Sequence, residues 1–175
     1  VAERTRKSFE GGMAANIEKW AEQGIVDRDF WKTVGQQGVM GGSIAEEYGG
    51  FGGGIGFDAI TVYEQGRTGD TGWGYGIQSI VIHYIYAYGS EEQKKKWLPK
   101  LVSGDSVAAI AMTEPGTGSD LQNVQTHAEK DGNHYKINGS KIFITNGFNW
   151  FSASEKIVSS NWIGLSNLSS HVISP

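Results

Sequence analysis

Two periodicities, met in order along the chain, predict an α+β protein with an N-terminal all-helical domain followed by an antiparallel β domain. Up to about residue 102, apolar side chains recur every three or four positions. After Gly104 they alternate, and glycine-containing turn dipeptides separate the alternating runs. Glycine is the third observation: of 26 in 175 residues, 15 lie between Gly35 and Gly76. That segment must hold turns, positive φ angles or close backbone approaches.

The elements follow from the N-terminus. Phe9, Met13, Ile17, Trp20 and Ala21 form one apolar helical face, weakened at Gly11-Gly12 by roughly 1 kcal/mol per glycine, and Gly24 is a natural stop. Asp29-Phe30-Trp31 opens a second short helix, and residues 35–56 are a glycine-rich connection. Phe57, Ile60 and Glu64 start another helix. Trp73, Ile77, Ile80, Val81, Tyr84, Ile85 and Tyr88 make a stripe so broad that it predicts a helix buried on most sides. Ser90-Glu91-Glu92-Gln93 has the form of a capping box, with Lys94, Lys95 and Lys96 reading as a solvated continuation of that helix.

Beyond Gly104, residues 107–112 read as a strand. Residues 124–129 and 133–137 flank the hairpin signal Asp131-Gly132, and Asn138-Gly139 predicts a second hairpin into residues 141–145. The expected division is a helical domain over 1–103, the start of a β domain over 104–147, and a divergent tail over 148–175. The tail carries eight serines and two charges and has no sustained period.

Composition narrows the function. The absence of cysteine removes disulfides, thiolate metal sites and thiol catalysis. A net charge of −4, from 15 basic and 19 acidic residues, offers no basic face for nucleic acid. The longest apolar run, residues 80–88, contains His83 and is too short to span a bilayer. The charged N-terminal residues lack a following apolar stretch, so no secretory signal is expected. His83, His127, His134 and His171 have no metal-ligand spacing, and HExxH, Walker A, GxSxG and GxGxxG are absent.

One segment concentrates chemistry: Ala111-Met112-Thr113-Glu114-Pro115-Gly116-Thr117-Gly118-Ser119-Asp120. It begins as a strand and ends in a glycine turn rich in hydroxyls. Pro115 fixes one φ, and Gly116 and Gly118 admit close approach of a ligand to the backbone. By itself the pattern is more often that of a plain loop.

This segment resembles the signature of the acyl-CoA dehydrogenase family. Three further pieces resemble the same family in the right order. They are Glu46-Glu47-Tyr48-Gly49-Gly50-Phe51-Gly52, then Tyr88-Gly89-Ser90-Glu91-Glu92-Gln93-Lys94 with Trp97-Leu98-Pro99-Lys100-Leu101 and Gly104-Asp105, and Gly139-Ser140-Lys141-Ile142-Phe143-Ile144-Thr145-Asn146-Gly147. The resemblance covers about residues 1–147 and departs at Ala45, where the family usually has proline.

The resemblance implies an N-terminal helical domain, a middle β domain and a C-terminal helical bundle. FAD would lie between the last two, with acyl-CoA on one flavin face, a glutamate removing the α-proton and the β-hydrogen leaving as hydride. Carried over by position, Ile110, Ala111, Met112, Thr113, Gly118 and Ser119 would line the flavin. Thr113 would hydrogen-bond the ring, and Ser119 would contact the pyrophosphate and border the acyl-CoA path. Phe143 and Ile144 would cover the ring, and Thr145 would hydrogen-bond near its reactive nitrogen.

The match stops after Gly147, so the bundle and its glutamate are expected to be missing from this chain. No catalytic residue is assigned, and Glu114 is no substitute, since it sits in the loop motif. The family further implies an electron-transfer flavoprotein-like acceptor, homo-oligomers, and a bacterial cytoplasm or mitochondrial matrix. The competing expectations are a non-catalytic fragment or interaction module, and an acyl-CoA oxidase-like relative.

Overall fold

The computed structural model describes residues 2–132, 134–151 and 168–173. The first apolar face is not one helix. It runs as α1 (Ala2–Ser8), a π-helical turn (Phe9–Met13), a 3₁₀ turn (Ala14–Asn16) and α2 (Ile17–Gln23). Gly11-Gly12 sits in the π turn, where two residues without side chains let the backbone widen. The Asn16 amide donates to the Gly12 carbonyl at 2.7 Å and occupies an acceptor there. Phe9, Met13 and Trp20 are nonetheless buried, whereas Ala21 faces solvent. Gly24 ends α2 at φ 71°, its N–H returning to the Trp20 carbonyl.

α3 (Arg28–Gln36), α4 (Gly56–Arg67), α5 (Tyr75–Tyr88) and α6 (Glu91–Val102) complete the helical part, with a 3₁₀ turn at Glu46–Tyr48 in the glycine-rich connection. The box at the start of α6 forms as expected: the Ser90 hydroxyl accepts from Gln93 N–H, and the Gln93 side chain accepts from Ser90 N–H at 2.9 Å. Two clusters make the core. Phe9, Phe30, Trp31, Trp73 and Tyr75 join the π-helical turn, α3 and the entry to α5, with Trp73 5.4 Å from Trp31 and 5.0 Å from Tyr75. Ile44, Tyr48, Ile82, Leu98 and Leu101 join the glycine loop to α5 and α6. Glu64 of α4, fully inside, takes a two-pronged bond from Arg6 of α1 at 3.1 and 3.2 Å.

α5 departs from its sequence pattern. Tyr75, Gln78 and Ile82 are buried, but Ile80, Tyr84 and Tyr88 face solvent. Its neighbours α4 and α6 occupy one side, and among the described residues nothing covers the other.

After α6, residues 107–113 have no regular secondary structure and join no ladder, so the strand expected over 107–112 is not one. β1 (His127–Asp131) and β2 (His134–Gly139) pair antiparallel, with Asp131 opposite His134, which is the hairpin expected at Asp131-Gly132; Gly132 has φ 60°. The second hairpin does not form. β2 pairs instead with β3 (Leu168–Ile173), giving the order β1-β2-β3, and residues 141–145 leave the sheet to lie beside residues 108–113. A short helix, α7 (Gly147–Phe151), follows; it and β3 are the described part of the tail.

Candidate functional site

The site is built where residues 108–113 and 142–146 run side by side in opposite directions. Ile142 N–H donates to the Thr113 carbonyl at 3.0 Å, and the Asn146 side chain donates to the Ala108 carbonyl at 3.0 Å. Three polar groups hold this ribbon in place, two of them to the helical part. The Gln78 amide of α5 donates to the carbonyls of Leu101 (2.9 Å) and Ser106 (3.1 Å) and accepts from Ala108 N–H (2.7 Å). Asn146, itself at φ 64°, also donates to the Gly74 carbonyl at 3.0 Å. Any side chain at Gly74 would collide with it, since a Cβ there would lie 2.1 Å from Asn146 Oδ1.

The third group is an ion pair inside the loop. Glu114 and Lys141 are each 4% exposed and meet at 2.9 Å. The carboxylate also accepts Gln125 N–H at 2.7 Å and Thr126 N–H at 2.9 Å, and Lys141 Nζ also donates to the Met112 carbonyl at 3.0 Å. Burial works to raise the Glu114 pKa. The nearby Thr126 hydroxyl, Lys141 and the two backbone N–H groups outweigh it and hold the carboxyl at about 2. Glu114 and Thr117 exchange backbone hydrogen bonds at 3.0 Å in both directions, which closes the turn leading to Gly118 and Ser119.

The residues singled out from the sequence fall on this ribbon and its turn. Ala111 is buried beneath it; Ile110, Thr113 and Ile144 are half-buried; Met112, Gly118, Ser119, Phe143 and Thr145 face solvent. Phe143 is 89% exposed and holds a left-handed backbone, φ 57°. This conformation, costly for a bulky residue, breaks the two-residue alternation. Lys141 points in, while Phe143 and Thr145 point out. The result is an exposed aromatic ring on a ribbon that also carries the half-buried Thr113 and the exposed Thr145. A flat heteroaromatic ligand needs such a surface: an apolar plane to lie on and hydroxyls at its edge. The residues present therefore fit a flavin ring.

Sequence reasoning missed Gln78, Lys141 and Asn146, and read Glu114 only as a poor base. The one available signal was a charge, Lys141, inside an otherwise apolar run.

A second polar cluster lies between α4 and α5. Ser43 Oγ donates to Asp58 at 2.6 Å and lies 3.0 Å from His83 Nε2, while Tyr75 OH and Ser79 Oγ donate to Asp58 at 2.6 and 3.0 Å. Burial first, then the Asp58 charge, pushes the Tyr75 phenol up. The set is not a nucleophile triad. There the carboxylate orients the far nitrogen of the base; here His83 Nδ1 faces the Ser79 carbonyl at 2.8 Å and the serine proton is given to the carboxylate. Among the described residues no group of His, Asp and Glu could hold a metal ion, and no helix is long and apolar enough to cross a membrane.

Known proteins resemble this chain over most of its length. Residues 1–105 match the acyl-CoA dehydrogenase N-terminal domain and residues 109–152 the acyl-CoA dehydrogenase middle domain. The mitochondrial long-chain specific acyl-CoA dehydrogenase of Sus scrofa is 47% identical over 151 residues, covering 86% of this chain and 35% of its own length. The mitochondrial isovaleryl-CoA dehydrogenase of Bos taurus is 44% identical over 122 residues, covering 69% of this chain and 29% of its own. Among solved structures, an acyl-CoA dehydrogenase from Geobacillus kaustophilus superposes with a TM-score of 0.80 at 42% identity, over 83% of this chain and 39% of that one. A glutaryl-CoA dehydrogenase from Mycobacterium smegmatis in complex with FADH2 gives 0.75 at 31% identity, over 85% and 39%. The chain thus spans about a third of the length of the curated relatives it matches.

Proposed function

The chain belongs to the acyl-CoA dehydrogenase family, and from that membership we propose that the protein it forms is an FAD-dependent oxidoreductase that dehydrogenates acyl-CoA thioesters between the α and β carbons. The observation that carries this reading is the apposition of residues 108–113 and 142–146, which puts Thr113, Phe143 and Thr145 on one ribbon. Bound there, FAD would supply the hydride acceptor. The chain's own residues would do the rest. Phe143 and Ile144 would lie against the ring and exclude water; Thr113 and Thr145 would hydrogen-bond its edge; Ile110, Ala111 and Met112 would line it; Gly118 and Ser119 would contact the pyrophosphate, with Ser119 bordering the acyl-CoA path.

Glu114 is unsuited to proton abstraction. Its carboxylate is 4% exposed and held by Lys141 and two N–H groups, so it is closed off from a substrate on the exposed face. The α-proton is assigned to no residue of 1–175. On this reading residues 1–103 are the helical domain and 104–147 open the β domain. The protein would pass its electrons to an electron-transfer flavoprotein, act as a homo-oligomer, and work in the mitochondrial matrix or a bacterial cytoplasm.

The test is titration of the protein with FAD, followed by flavin fluorescence and visible absorbance. Saturable binding with a perturbed spectrum is expected, weakened at least tenfold by Phe143→Ala with Thr145→Ala. Absence of flavin binding by the protein that contains this chain refutes the proposal.

A further inference from the structure

We propose that the buried Glu114–Lys141 pair is a positioning device for the cofactor ring, and that the balance of its two charges sets the flavin's reduction potential. This rests on the flavin reading above and goes beyond it, since neither residue touches the exposed face.

The pair is stationed under that face by three links. Lys141 Nζ reaches the Met112 carbonyl, Ile142 N–H reaches the Thr113 carbonyl, and Lys141 Nζ closes on the Glu114 carboxylate. Met112, Thr113 and Glu114 are thereby stapled to Lys141 and Ile142. The other side of the carboxylate grips the Gln125 and Thr126 backbone, so one buried group fixes both ends of the loop carrying Gly118 and Ser119. Glu114 directly follows Thr113 and Lys141 lies two residues before Phe143, so at about 3.4 Å per residue each charge is within about 10 Å of a residue assigned to the ring.

Such a pair is close to neutral at that distance. Removing one member leaves an uncompensated charge in a poorly screened site. Hydride acceptance brings two electrons and one proton together, so the ring gains one negative charge. A bare Lys141 would favour the reduced ring and a bare Glu114 would oppose it. In the lysine variant the two backbone N–H groups keep the carboxylate ionised. With an effective dielectric near 20, each effect is roughly tenfold in the ratio of reduced to oxidised flavin, or about 30 mV for a two-electron couple.

The experiment measures the potential of the FAD-loaded protein by equilibration with a reference dye, together with FAD affinity. Glu114→Gln should raise the potential, Lys141→Met should lower it, and the double variant should return close to the parent value while binding FAD more weakly. Lys141→Arg, which keeps the charge, should keep the potential, and it carries the test together with Glu114→Gln if Lys141→Met does not fold. Shifts of the same sign in the two single variants, or unchanged potentials, overturn the inference and leave flavin binding intact. Failure of the parent protein to take up FAD overturns the flavin reading and this inference with it.

Discussion

Gly35 lies inside α3, where replacing glycine by alanine ordinarily stabilises a helix by about 0.5–1 kcal/mol. Here the sign should reverse. A Cβ at Gly35 would lie 2.1 Å from the Ser103 carbonyl oxygen and 2.2 Å from its carbon. Those are backbone atoms at the end of α6, and no rotamer change can move them. Either α3 or the turn at residues 103–105 must shift by more than 1 Å to restore ordinary contact. That shift would also pull Arg28 from the carbonyls of Gly104 and Asp105, which it now reaches at 3.2 and 2.8 Å. Overpacking of this kind costs roughly 1–3 kcal/mol, occasionally more, and the loss of hydrogen bonds about 1 kcal/mol on top. Subtracting the propensity gain, Gly35→Ala should destabilise by about 1–3.5 kcal/mol and lower Tm by about 2–14 °C. Gly66→Ala is the control: it sits in α4 with nothing within 4 Å of its Cβ and should gain about 0.5–1 kcal/mol. Urea unfolding followed by tryptophan fluorescence reads both, Trp31 being wholly buried beside the contact. A Gly35→Ala protein as stable as the parent, or a control equally destabilised, would refute the close-approach argument.

Other outcomes follow from the same coordinates. Ser90→Ala removes one half of the capping box and should cost about 1 kcal/mol in denaturant unfolding, with Gln93→Ala adding little to it in the double variant. Phe143→Ala should change folding stability by less than about 0.5 kcal/mol, because the ring is 89% exposed, while weakening FAD binding in a fluorescence titration. The Glu114 pKa is held at about 2, below its ordinary 4.5, so its contribution to stability is present above pH 4.5 and is lost as pH falls toward 2. Acid unfolding of Glu114→Gln should accordingly be flatter across that window than that of the parent. Gly74→Ala should push Asn146 off the Gly74 and Ala108 carbonyls and, in limited proteolysis, expose the 142–146 segment to cleavage before the helical core.

Much of the fold could be read directly from residue patterns. Phe9, Met13 and Trp20 point inward as their spacing requires, Gly24 stops α2, Ser90 and Gln93 cap α6, and Asp131-Gly132 turns the hairpin. These features depend on neighbours a few positions away, and local rules capture them. The same rules misjudged α5, because Ile80, Tyr84 and Tyr88 carry the right spacing for burial without an opposing surface among the described residues. They misjudged residues 107–112 and 141–145 too. Both runs alternate like strands, yet each is held by side chains from elsewhere: Gln78 on Ala108, Lys141 on Met112, Asn146 on Ala108 and Gly74.

The amino-acid order alone therefore determined the helix-to-strand succession and the glycine loop, because periodicity and turn chemistry act over short stretches of chain, and it carried motifs that resemble those of a known family. Only the folded chain decided that Lys141 turns inward to meet Glu114 while Phe143 turns outward. That depends on one left-handed backbone and on hydrogen bonds between residues 27 to 72 positions apart, and no local pattern encodes a partner so distant.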